Sequence, residues 1–307
     1  MSFKKILVGV DFSEHSEAAI TQALDIAGHT GAEVVLIHAG VVPEPAVDMS
    51  RTIGRDAGDW QKILRDRLEE NRKTLSDLRE RHDGRGVVIS QMVIDDLPDA
   101  GISKAAEELD ADLVVVGSRG NTGFTRILLG SVAERVVRHT QSHVMVARPD
   151  SKARGGFKRI LVPTDFSETA QQAFDVAAEL LAPEGVIEAL HCWQLPPMAG
   201  GHYIPAPSAQ VVSEMRQDLG TRTEAAGERA LAPLRERGIS VEFRQMEAAP
   251  ATAIVDAATT GKCDAIVMGS HGRRGLQRFL LGSLAETTVR YAPTSVVVVH
   301  APPKAAS

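Results

Sequence analysis

The chain contains a second copy of itself, and this restricts the possible folds more than any other feature. "FKKILVGVDFSEHSEAAI" from Phe3 matches "FKRILVPTDFSETAQQAF" from Phe157 without a gap, at an offset of 154. "VLIHAG" then matches "EALHCW", aligning His38 with His191 at an offset of 153, and "ADLVVVGSRG" matches "CDAIVMGSHG" at 152. Blocks that keep their order while losing a residue between them mark a duplicated domain. The junction "RPDSKARGG", Arg148 to Gly156, is short and polar with paired glycines, as a linker should be. Domains are expected over 1–150 and 157–302, and 307 residues suffice for two real cores.

Within each half the hydrophobic period alternates. Ile6–Val10, Val34–His38, Val87–Val93, Leu113–Val116 and Val144–Ala147 are short β-branched runs that predict strands. Helical spacing separates them: Ser13 to about Ala27 behind a serine N-cap, Trp60 to about Arg81, Ala100 to about Leu109, and Ser131–His139. The second half repeats the series, with strands near Ile160, Ile187, Val241, Ile266 and Val297 and helices near Ser167, Val211, Ala251 and Ser283. Strict alternation of strand and helix requires crossover connections and a parallel sheet covered on both faces. The fold class is therefore α/β, two tandem doubly wound units of five strands and four helices each.

The strongest functional signal is also duplicated. "GSRGNTGFTRILLGS" (Gly117–Ser131) and "GSHGRRGLQRFLLGS" (Gly269–Ser283) share the spacing G-x2-G-x9-G-S and leave an apolar run for a helix start. A glycine loop opening a helix suits an anion, because the first-turn N–H groups are unpaired and the macrodipole is positive there. Glycines let the backbone approach a ligand closely. A Walker A loop is excluded, since Gly130 and Gly282 are not followed by lysine. A dinucleotide fingerprint follows the first strand, whereas this loop follows the fourth. One such glycine is ordinary turn chemistry; the full spacing occurring twice is not.

These residues resemble the universal stress protein family in its tandem form, on the "DFSE" after strand one, the "LIH"/"ALH" ending strand two, and the glycine loop. The resemblance implies the ATP-binding branch, a five-stranded parallel sheet in the order 3-2-1-4-5, and a ligand site where strands one and four part. It implies that Asp11 and Asp165 accept from the adenine amino group, although helix N-capping is open to both carboxylates. Ala39 and Cys192 take the position whose backbone reads the adenine edge, with the family's valine replaced. Gly117 and Gly269 take the ribose side. Gly120, Gly130, Ser131 and Val132, with Gly272, Gly282, Ser283 and Leu284, take the phosphates. Arg119, Arg126, Arg273, Arg274 and Arg278 are candidates to screen phosphate charge. ATP, with or without Mg, is the implied cofactor, and stress-linked regulation the implied role. Single-domain members dimerise through their last strands, which implies an intramolecular pseudodimer here and leaves a homodimer open. The runs "HVMVAR" and "SVVVVH" are apolar enough for such pairing.

Composition narrows the partners. A net charge of −6 and 4% aromatics argue against a nucleic-acid or anionic-membrane surface. Two cysteines, Cys192 and Cys263, form no disulfide framework. The apolar stretch before Asp11 is too short for a signal core, so a cytoplasmic location is expected. His38, His191 and Cys192 lack further ligands at metal spacing, and His271 stands where the first half has Arg119, so it is not a shared catalytic group. No G-x-S-x-G elbow is present. Hydrolysis is expected to be slow or absent. Two other readings stay open: an ATP-hydrolysing or nucleotidyl-transferring enzyme, and an interaction module with structural nucleotide. Two long proline- and glycine-rich loops, Gly40 to Asp59 and Trp193 to Pro207, differ between the halves and suggest that the two sites are not equivalent.

Overall fold

The computed structural model describes residues 3–40, 57–120, 129–151, 153, 155–195, 207–272 and 281–301. The chain divides into two compact units, one from Ser2 to Pro149 and one from Asp150 to Ser307. The first runs β1 (Lys5–Gly9), α1 (Glu14–Thr30), β2 (Glu33–Ala39), α2 (Ala57–His82), β3 (Ile89–Ile94), α3 (Pro98–Glu108), β4 (Leu113–Gly117), α4 (Ser131–His139), β5 (His143–Ala147). The second runs β6 (Phe157–Pro163), α5 (Glu168–Leu180), β7 (Leu181–Trp193), α6 (Ala209–Glu236), β8 (Ser240–Glu247), α7 (Pro250–Thr260), β9 (Ala265–Gly269), α8 (Ser283–Tyr291), β10 (Ser295–Val299).

In the first unit β1 lies between β2 and β4, β3 pairs outside β2 and β5 outside β4, all parallel. The second unit repeats this, with β6 between β7 and β9, β8 outside β7 and β10 outside β9. The doubly wound architecture expected from the alternating periods is thus present in both halves. Ile6, Leu7 and Val8 in β1 and Leu113, Val114 and Val115 in β4 have no exposed surface. A parallel strand covered on both faces needs such a continuous apolar run. The outermost strand β8 instead alternates exposed and less exposed positions along "SVEFRQME", as a strand covered on one face does.

Caps fix the helix ends. Ser13 accepts from the Ser16 N–H at 3.2 Å to start α1, and Gly31, at φ 80°, ends it with its N–H on the Ala27 carbonyl. Pro98 and Pro250 open α3 and α7, where a missing N–H costs nothing. The small residues Ala19, Ala23 and Ala27 on the buried face of α1 let it lie close to the sheet. A clamp that the sequence analysis did not single out recurs in both units. Asp112 accepts from the Lys4 and Lys5 N–H groups at 2.8 and 3.0 Å, and Asp264 from those of Lys158 and Arg159 at the same distances. It ties the start of the first strand to the start of the fourth.

The boundaries depart from expectation in two places. Helix α2 begins at Ala57, within the segment expected as a loop from Gly40 to Asp59, while 41–56 lies outside the described residues. Strand β7 is 13 residues long and starts directly after α5. The halves also differ in chemistry. Glu188, buried in β7, bonds Arg159 at 3.0 Å and Arg244 at 2.6 Å, and Arg159 also reaches Glu242 at 2.7 Å. Val35, buried and uncharged, stands at the matching position of the first unit. Among the described residues no helix is long and apolar enough to cross a membrane.

Candidate functional site

In each unit the first strand breaks into a turn of the same sequence, Asp11-Phe12-Ser13 and Asp165-Phe166-Ser167. The helix N-cap is the serine, not the aspartate. Ser13 caps α1, and Ser167 caps α5 by accepting from the Ala170 N–H at 3.3 Å. The aspartate sits two residues upstream and orients the cap. Asp11 Oδ1 accepts from the Ser13 N–H at 3.1 Å and from its hydroxyl at 2.6 Å; Asp165 Oδ1 accepts from the Ser167 N–H at 3.0 Å. Between them the phenylalanine takes a left-handed backbone, φ 62° for Phe12 and 61° for Phe166. For a bulky L-residue this costs about 1–2 kcal/mol, so something must hold it there.

The fourth strand ends beside this turn because β1 and β4 are paired neighbours, as are β6 and β9. Gly117 is a glycine for a packing reason: a Cβ there would lie 2.8 Å from the backbone of His15 in the first turn of α1. A Cβ on Gly269 would lie 3.0 Å from the Thr169 Cβ and 3.2 Å from its backbone carbon. Three residues on, the loop glycine meets the carboxylate. A Cβ on Gly120 would lie 2.6 Å from Asp11 Oδ2, and one on Gly272 would lie 2.7 Å from Asp165 Oδ2. The aspartate and the loop glycine are thus in contact in both units, with the second carboxylate oxygen facing the loop.

Each loop returns to start the next helix. The Gly130 N–H donates to the Ser118 carbonyl and the Gly282 N–H to that of Ser270, both at 2.9 Å, which closes the loop across its base. Gly130 and Gly282 are the N-caps of α4 and α8, and no side chain among the described residues caps either helix. The first backbone acceptances are by Gly130 from Glu134 and by Gly282 from Glu286. The amides of Ser131 and Val132, and of Ser283 and Leu284, therefore open the helices without a side-chain acceptor, the state in which a helix start attracts an anion.

In the second unit these elements line a cavity of about 120 Å³ that includes Asp165, Cys192, Gly269, Gly272, Gly282 and Leu284. Ser283 begins α8 alongside. Ala39 and Cys192 occupy the matching place at the end of the second strand, opposite Ile94 and Met246 in register. Burial pushes the Cys192 thiol up to about 11, with the nearby Arg244 opposing the shift, so it packs as a small apolar group. Arg126, Arg273, Arg274 and Arg278 lie outside the described residues, as do 41–56 and 196–206 of the two long loops.

The residues flanking the glycines differ between units. In the first, His15 Nδ1 is 3.3 Å from the hydroxyl of buried Ser118, and burial and then the Arg119 charge lower the His15 pKa. In the second, Thr169 donates to the His271 carbonyl at 2.6 Å, and His271 Nδ1 lies 3.0 Å from the Ser270 hydroxyl. Burial lowers the His271 pKa. Sequence reasoning passed over His15, Phe12 and Phe166. The signal available for the phenylalanines was their identity in both copies. His38 and His191 hold no metal set, and among the described residues no cluster of His, Cys, Asp and Glu could do so.

Comparison with known proteins shows the family and the fold. The family model described as the universal stress protein family matches residues 2–148 and again 156–300. A universal stress protein of Mycolicibacterium smegmatis is 30% identical over 307 residues, covering 96% of each chain. One from Methanocaldococcus jannaschii is 36% identical over 151 residues, 49% of this chain and 85% of its own length. The crystal structure of a universal stress protein from Archaeoglobus fulgidus superposes with a TM-score of 0.65 at 22% identity, covering 98% of this chain and 97% of the other. At that identity it speaks for the fold alone.

Proposed function

The chain belongs to the universal stress protein family, and from that premise we propose that it binds ATP in its two domains and acts as a nucleotide-dependent regulator in the stress response. One observation carries the reading. In each unit a carboxylate from the end of the first strand meets the loop glycine after the fourth, beside a helix start that no side chain among the described residues caps. A carboxylate accepts from an exocyclic amine, and open amides at a helix N-terminus donate to phosphate oxygens, so the two ends of the site complement the two ends of one nucleotide. In this reading Asp11 and Asp165 take the adenine, with the backbone of Ala39 and Cys192 along its edge. Gly117 and Gly269 take the ribose, and Gly120, Gly130, Ser131 and Val132, with Gly272, Gly282, Ser283 and Leu284, take the phosphates. Mg, where present, would be held chiefly by phosphate oxygens.

Nucleotide would be held as a state marker and turned over slowly. Turnover in the ordinary enzymatic range of roughly 1–1000 per second, in a preparation free of other ATPases, would overturn this part of the reading. The binding test is direct. The purified protein is heat-denatured and deproteinised, and the supernatant is assayed for adenine nucleotide; calorimetry with ATP follows on stripped protein. Co-purified or rebound ATP is expected. An empty protein that shows no heat of ATP binding overturns the assignment.

A further inference from the structure

The repeated turn poses a question that nucleotide binding leaves open: what holds Phe12 and Phe166 in the left-handed region. The same arrangement answers it twice. His38 comes from the end of β2, and its ring lies on Phe12 with centroids 4.6 Å apart and planes at 30°. His191 comes from the end of β7 and lies on Phe166 at 4.7 Å and 26°. Each histidine is itself fixed by the strand beside it. Nδ1 is 2.8 Å from the Val10 carbonyl for His38 and 2.7 Å from the Thr164 carbonyl for His191. A carbonyl only accepts, so Nδ1 carries the proton in both rings. Each ring is thus anchored to the residue immediately before the aspartate and stacked on the residue immediately after it.

We propose that His38 and His191 are positioning residues of the nucleotide sites: each clamps a strained phenylalanine turn and so sets the direction in which Asp11 or Asp165 presents its carboxylate. The chain of contacts is short. The histidine ring rests on the phenylalanine, whose backbone sets the path from aspartate to serine. The serine N–H then fixes Oδ1 at 3.1 Å for Asp11 and 3.0 Å for Asp165. With Oδ1 held, Oδ2 faces Gly120 or Gly272. Without the ring the turn can relax toward negative φ, and the carboxylate swings with it. In the second domain the stack continues to Phe243 of β8, 6.3 Å from Phe166, so the clamp there has a second support. The inference rests on the reading of the aspartate as the adenine contact. It predicts a loss of base selectivity rather than of phosphate binding.

The test uses the full chain and three probes, ATP, GTP and inorganic triphosphate. His38→Asn with His191→Asn keeps an amide donor for the strand carbonyl and removes the ring. His38→Phe with His191→Phe keeps a ring on the phenylalanine and removes the donor. The Asn pair is expected to lose about tenfold in ATP affinity, to bring the ATP and GTP constants together, and to bind triphosphate as the unmodified protein does. The Phe pair is expected to keep the preference for ATP. An ATP preference that persists in the Asn pair, or vanishes in the Phe pair, overturns the clamp and leaves nucleotide binding intact. An unmodified chain that binds no ATP overturns both.

Discussion

At Gly120 and Gly272 the room for a methyl group is already taken by a carboxylate oxygen, at 2.6 and 2.7 Å from where the Cβ would be. Gly120→Ala with Gly272→Ala should therefore turn the aspartate away or cover it, and ATP affinity should fall about tenfold or more by calorimetry. Retained affinity would separate these glycines from the site. Gly130 and Gly282 are worse probes, because a side chain there meets the backbone of the loop's own base, within 3.3 and 3.0 Å. A valine at either would disturb the fold along with any ligand. The thiols give an independent check on burial. Cys192 and Cys263 are both pushed up to about 11, chiefly by desolvation, from an ordinary value of 9.0. A rise of two units leaves about a hundredfold less thiolate at pH 8. Alkylation of the native chain should be slower than that of the unfolded chain by about that factor, and equal rates would contradict the packing around both residues. The resemblance named the aspartates and glycines because their spacing repeats. It did not name the Phe–His stack, because the two partners come from separate strands and no local spacing links them.

Among the elements, α6 offers a contrast of sign. Gly227 lies under the ring of Phe243, where an added Cβ would come within 2.6 Å of ring atoms, whereas at Gly220 the nearest atom is Gln245 Nε2 at 3.9 Å. Gly→Ala in an open helical position stabilises by up to ~1 kcal/mol, while overpacking destabilises by about 1–3 kcal/mol. Gly220→Ala is therefore expected to raise the denaturation midpoint and Gly227→Ala to lower it; the same sign for both would refute the packing of α6 on β8. The serine caps give a second test. Ser13→Ala and Ser167→Ala each remove a first-turn acceptor, for a loss of about 1 kcal/mol. Ser13→Ala also removes the hydroxyl that donates to Asp11 Oδ1 at 2.6 Å, whereas Asp165 Oδ1 keeps the backbone N–H of residue 167, so ATP binding in the first unit alone should weaken beyond what the stability loss explains. At this scale the hydrophobic period found the strands and helices, and the serines marked two helix starts correctly. The start of α2 at Ala57 and the length of β7 were not visible, because proline- and glycine-rich composition records turn chemistry and not where a helix resumes.

For the whole molecule, duplication predicts stoichiometry. If both units bind, calorimetry should give two ATP per chain, and Gly120→Ala or Gly272→Ala alone should leave one. A single site in the unmodified protein would mean that divergence has silenced one half. The flanking residues make the halves unequal, since the first unit has His15 and Arg119 where the second has Thr169 and His271. Three half-buried histidines add a pH dependence whose sign is fixed. Burial lowers the pKa of His15, His143 and His271, so near pH 6 the unfolded chain binds more protons than the folded one. Their contribution to stability is full above the unfolded value of about 6.5 and is lost as pH falls through the folded values. Melting temperature should drop between pH 7 and 5.5, and His143→Gln should flatten the drop. The sequence alone determined the duplication, the α/β class and the repeated glycine loop, since periodicity and spacing are properties of order along the chain, and the family resemblance carried by that loop implied the list of candidate ligands. Only tertiary structure decided that Asp11 and Asp165 face the loop rather than cap a helix, and that a histidine 26 residues from its phenylalanine in the first unit and 25 in the second completes the turn. Those facts depend on which strands lie side by side, and adjacency in a parallel sheet is set by crossover packing rather than by neighbours in sequence.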